Sequence, residues 1–150
     1  MDAGYKVHSA KQTDHQNGDV FMEFYALGEH WRSDLAFYQD EIRFLTDLMA
    51  NYFHHFLDSL DLSFSRRIEN RLAMLDRRGE AIADKINRQL HEISQHLYNG
   101  DQEWREVMVR QGELEDLVAL FAKDFRKLKK QVFSLTEEGL REFQKGTDNE

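Results

Sequence analysis

Apolar residues recur every three or four positions along most of the chain. Trp104, Val107, Gln111, Leu114, Val118, Phe121, Phe125, Leu128, Val132 and Leu135 keep that step without a break. This spacing puts them on one face of a long helix that lies along other helices. Upstream, Val20, Phe24, Leu27, Trp31, Leu35, Tyr38, Ile42, Leu45, Met49, Tyr52 and Phe56 follow the same rhythm, with one extra residue near Trp31. Between these runs, Phe64, Ile68, Leu72, Leu75, Ile82, Ile86, Leu90, Ile93 and Leu97 step slightly wider, through two four-four stutters. That interval predicts a nearly straight second helix.

Punctuation supplies the ends. Residues 1–18 show little hydrophobic pattern and close on the Asn17-Gly18 turn pair, so they read as a flexible, irregular N-terminal arm. Asp19 is then placed to cap the first helix, with Gly28 costing roughly 1 kcal/mol relative to alanine and marking the alternative, a break there. A polar turn at Asp61–Ser65 and the Asn99-Gly100-Asp101 triplet separate the next elements. Helices are expected over about 19–60, 63–98 and 101–145, the last fraying after Gly139, with 146–150 a disordered tail. Two short turns between long helices require an all-α, elongated, antiparallel (up-down-up) three-helix bundle, one domain over 19–145. Helices one and three then run parallel, offset by roughly seventy-seven residues.

Composition narrows the chemistry. The 150 residues include no proline and no cysteine, which removes the strongest helix breaker, disulfides and thiolate metal sites. The N-terminal segment has no apolar h-region and no long apolar run follows, so membrane insertion is not expected and the cytoplasm is the expected compartment. A net charge of −8 disfavours nucleic acid as a partner of the whole molecule. The charge is uneven, however: residues 1–60 carry ten acids against four bases, whereas 61–80 and 121–150 lean basic.

Four constellations follow from the expected register. His30, Glu92, His96 and Glu106 fall near one level, where imidazole and carboxylate can hold Zn²⁺ or iron between helices. The Glu-x-x-His pair of di-iron bundles is absent, so no cofactor is assigned, and histidines near a helix C-terminus have an ordinary dipole role. Gln111 interrupts the third apolar seam and needs a partner, with Gln89 or Asp34 at its level. Such a polar layer specifies helix alignment more often than it lines a ligand pocket. Arg66, Arg67, Arg71, Arg77 and Arg78 lie alongside Lys123, Arg126, Lys127, Lys129 and Lys130, a face for phosphate groups or simply a solvated one. Phe37, Phe44 and Leu48, with Phe53 close by, form a second apolar line on helix one. Such a line is either covered inside the bundle or presented to a second copy or another helical protein.

No phosphate-cradling glycine motif, nucleophile elbow or thiol is present, so no enzyme activity is expected. The expected role is a non-enzymatic interaction or scaffold module, with a homodimer among its forms. The rival is a helical binder of metal or a small ligand at the His30, Glu92 and His96 end.

Overall fold

The computed structural model describes residues 2–56, 62–96 and 104–148, with side chains for 18–52, 63–95, 104–141 and 144–146. It contains three helices, α1 (Asp2–Phe56), α2 (Leu62–His96) and α3 (Trp104–Asp148), and no strand among the described residues. All three pairs of helices pack. Arg32 bonds to Asn87 between α1 and α2, Arg78 pairs with Asp124 between α2 and α3, and Lys129 bonds to Glu41 between α1 and α3. No helix among the described residues is long and apolar enough to cross a membrane.

α1 starts at Asp2, where an irregular arm was expected, and passes through Gly18 and Gly28 without a break. Asp19 therefore lies inside the helix and does not cap it. An existing helix extends without a new nucleation cost, and residues 2–18 contain no proline to stop it. α3 likewise continues past Gly139 to Asp148, so the expected tail is helical as far as 148. Of the turn expected at Asp61–Ser65, residues 62–65 already belong to α2, while Asp61 and Asn99-Gly100-Asp101 lie outside the described residues.

Burial corrects the rhythm read from hydrophobicity. On α2 the buried positions 65, 68, 72, 75, 79, 82, 86, 89 and 93 alternate steps of three and four, and Leu90 is buried beside Gln89. Ser65, Gly79 and Gln89 occupy seam positions that an apolar pattern skips, so the stutter at 64–72 vanishes, whereas Leu90 is buried as its spacing implied. Phe64, expected inward, is 37% exposed. On α1 the same correction replaces Val20 and Leu27 by the buried Phe21 and Gly28, and the extra residue disappears.

Seam glycines receive large side chains from a neighbouring helix. A Cβ on Gly28 would stand 2.7 Å from Leu90 Cδ2, and one on Gly79 would stand 3.2 Å from Phe121 Cζ. A Cβ on Gly139 would overlap the Tyr52 ring. These knobs set the register. Lys129 meets Glu41 across 88 residues, so α3 sits roughly two to three turns nearer the N-terminus of α1 than the turn positions implied.

Contacts divide the chain into two compact units. The first comprises Met1–Asp34 with Ile82–Val118 and the second Leu35–Ala81 with Ala119–Glu150. In the first unit Phe21, Ile93 and Val107 form a buried cluster under Phe24, Tyr25 and Trp104. The Phe21 and Trp104 ring centroids lie 4.7 Å apart. In the second unit, Tyr38 packs on Phe121 and Phe125 while Tyr52 meets Gly139, so α1 and α3 run parallel. Arg78 to Asp124 and Arg71 to Gln131 run in opposite senses, so α2 is antiparallel to α3. Leu35, Ile42, Leu45, Met49, Ile68, Leu72, Phe121 and Val132 fill its core.

Candidate partner-binding surface

Three of the expected constellations lie off the buried seams or only partly on them, and the reason is local in each case. In the first unit Gly28 and Trp31 take the inward positions of α1, so His30 points outward, with 70% of its side chain exposed. Its Nε2 lies 3.4 Å from Asp34 Oδ2, one turn along the same helix. Glu92 is paired with Arg110, whose Nε also donates to the Glu106 carbonyl at 3.3 Å. A guanidinium therefore sits where the expected cation would be, and Glu106 is exposed. The His96 side chain lies outside the described residues, and no group of three potential metal ligands converges among them.

The amide layer is built from two residues and not three. Gln89 and Gln111 are 3% and 5% exposed. Gln89 Nε2 donates to the Val107 carbonyl at 2.9 Å and to Gln111 Oε1 at 3.3 Å. Asp34 takes no part, because its carboxylate faces His30 at the surface. Gln89 Oε1 and Gln111 Nε2 have no partner among the described residues. Each such group opposes folding by the cost of its lost hydration.

The basic face is divided. Between α2 and α3 of the second unit, Arg71, Arg77, Arg78 and Lys127 border a groove of about 710 Å³ floored by Leu75 and Leu128. Arg78 is held by Asp124 at 2.8 Å and lies over the Phe121 ring, while Arg71 donates to Gln131 at 3.3 Å. Lys129, expected on the same face, turns instead to α1 and bonds both carboxylate oxygens of Glu41 at 3.0 and 3.3 Å. Acids and amides thus occupy part of the charge that phosphate groups would need.

The apolar line on α1 is the constellation left open. Phe37 and Phe44 are 60% and 59% exposed, and Leu48 is half-buried. Cover from within the bundle, the ordinary fate of a wide apolar stripe, is not given to these two rings. The Phe53 side chain lies outside the described residues. Positions 37, 41, 44 and 48 step by four, three and four, so Glu41 lies within the line between the two phenylalanines. Its partner Lys129 opens a line of identical spacing on α3, through Phe133, Thr136 and Leu140. Phe133 is 39% and Leu140 52% exposed.

The Glu41–Lys129 bond joins the two lines into one surface where α1 meets α3. Sequence reasoning missed the α3 half, since Phe133 and Leu140 each stand one residue beyond a main seam position. The repeated step from 129 to 140 was the available signal. No family model, no curated protein and no solved structure matches the chain.

Proposed function

We propose that this chain is a non-enzymatic interaction or scaffold module that associates with protein partners through the α1–α3 surface of its second unit. The observation that carries the reading is the pair Phe37 and Phe44, two aromatic rings held in water on one helix face. Contiguous exposed apolar surface marks an interface more often than it marks chance, and the step of four and three suits an opposing helix. Full burial of such a ring contributes about 1.5–3 kcal/mol, enough for a few residues to dominate binding. The non-enzymatic reading is supported by the state of the titratable side chains around the candidate sites. Glu41, Glu92 and Asp124 are paired with Lys129, Arg110 and Arg78, and the His30 ring lies 3.4 Å from the Asp34 carboxylate. Partners within the proposal are a second copy or another helical protein, and the proposed compartment is the cytoplasm, on the sequence expectation alone.

The test is a photoreactive benzoylphenylalanine placed at position 44 in cells. Irradiation yields a covalent adduct with a discrete protein if the surface is an interface. A probe at exposed Gln95 of the first unit serves as the control. Equal labelling at both positions, or none at 44, overturns the reading.

A further inference from the structure

We infer that the occupant of this surface is a second copy of the same chain, related by a two-fold axis parallel to the helices. The inference rests on the reading above and names its partner. Its warrant is the charge on the two flanks of the surface. Outside the α1 line stand Asp40 and Asp47, each three residues beyond an exposed phenylalanine. Along the α3 line stand Arg126, one heptad before Phe133, and Lys130 on its outer edge. Arg43 and Glu137 are the opposing charges near these flanks. Arg43 lies 3.7 Å from Asp40 with both side chains 77% exposed, a contact that water and salt readily replace. One edge is therefore acidic and the other basic.

Two arrangements can bury a face made of two parallel helices against its own copy. If the two-fold axis crosses the helices, α1 lies on α1 and α3 on α3, so acid meets acid and base meets base. If the axis runs along the helices, α1 of each copy lies on α3 of the other, and both flanks meet their opposites. Like charges brought together oppose association, so the second arrangement is selected.

It also matches the side chains by level. Rotation about an axis along the helices moves nothing up or down, and Glu41 is level with Lys129 within each copy. Phe44, three residues past Glu41, then meets Phe133 of the second copy, four residues past Lys129. Leu48, seven residues past Glu41, comes level with the stretch between the exposed Phe133 and Leu140 of that copy. Every apolar contact is made twice, because the interface is isologous.

The experiment is sedimentation equilibrium of the purified full chain from 1 to 100 µM, with circular dichroism to show that each variant is folded. A dimer is expected, and Phe44→Asp and Phe133→Asp each weaken it by roughly thirtyfold or more. Both positions are exposed in the single chain, so helicity is retained. Asp40→Lys with Asp47→Lys weakens the dimer at low salt, as does Arg126→Glu with Lys130→Glu, and mixing the two variants restores a heterodimer.

A chain that stays monomeric at 100 µM overturns the inference. So does a dimer indifferent to Phe133→Asp, or one indifferent to either charge reversal. The position-44 photoadduct keeps the two readings apart. An adduct of twice the chain mass accords with the dimer. An adduct with a different protein, from a chain that is monomeric when pure, leaves the interaction reading standing and removes the second copy. No adduct removes both.

Discussion

The two units of this molecule differ in where they place amides and aromatic rings. The first buries an amide pair, Gln89 with Gln111, in its core and leaves two of their polar atoms without protein partners. The second surrounds Phe121 with aliphatic and aromatic side chains, bonds its buried Thr136 hydroxyl to the Phe133 carbonyl, and holds Phe37 and Phe44 in water. One unit has unpartnered amide atoms inside, and the other has the Phe37 and Phe44 rings outside. The unpartnered amide atoms oppose the stability of the isolated chain, whereas the exposed rings add little to it. A buried amide penalises misaligned helices, whereas an exposed ring gains free energy only when something covers it.

The contrast yields graded expectations. Phe121→Ala removes the ring against which Gly79, Tyr38 and Arg78 pack, and should destabilise the protein by about 3–5 kcal/mol in denaturant unfolding. A loss below about 1 kcal/mol would show that the second unit's core is not tightly packed.

Gly139→Ala forces Tyr52 aside, and overpacking of about 1–3 kcal/mol should exceed the roughly 1 kcal/mol that alanine adds as a helix former. The matched substitution Gly112→Ala meets nothing within 4 Å and should have the opposite sign, stabilising by about 0.5–1 kcal/mol. The same sign for both, read as melting temperature, would remove the seam-glycine account.

Gln111→Leu should raise stability by about 1 kcal/mol, since it deletes one unpartnered donor and leaves Gln89 its bond to the Val107 carbonyl. Broadened amide resonances around Val107 would accompany the gain if the pair enforces alignment. A lowered melting temperature would show that the amides stabilise the core. Smallest of all, Phe44→Asp should change the unfolding free energy of the monomer by no more than about 0.5 kcal/mol, a surface effect. A large loss would mean that the ring is part of the core.

Much of this architecture was legible because helix periodicity is written in apolar residues, and Ile42, Leu72 and Val132 sit where their spacing put them. What escaped was written in residues with little or no hydrophobic signal. Gly28, Ser65, Gly79 and Gly139 are seam positions whose small size is their role, and a pattern of large apolar groups passes over them. That omission created the apparent stutter at 64–72 in α2 and the suspected break in α1.

The register of α1 against α3 depends on which knob enters which glycine, a matter of shape, so the level assigned to His30 was wrong by turns. The Gln89–Gln111 pair survived because both residues interrupt α2 and α3, whose mutual register was read more closely. The open surface was half legible. Phe37 and Phe44 were visible as a surplus line, but their exposure depends on packing that only the assembled helices define.

The ring of Tyr52 seated on Gly139 bears on more than stability. A turn of sliding between α1 and α3 would drive that ring into positions filled by larger side chains, so the two helices are indexed to each other. A partner of the proposed kind would meet two helices already indexed to each other, and less ordering entropy would oppose docking. Loosening that index, as an alanine at 139 would, should slow and weaken the proposed association even though position 139 is buried and outside the exposed line.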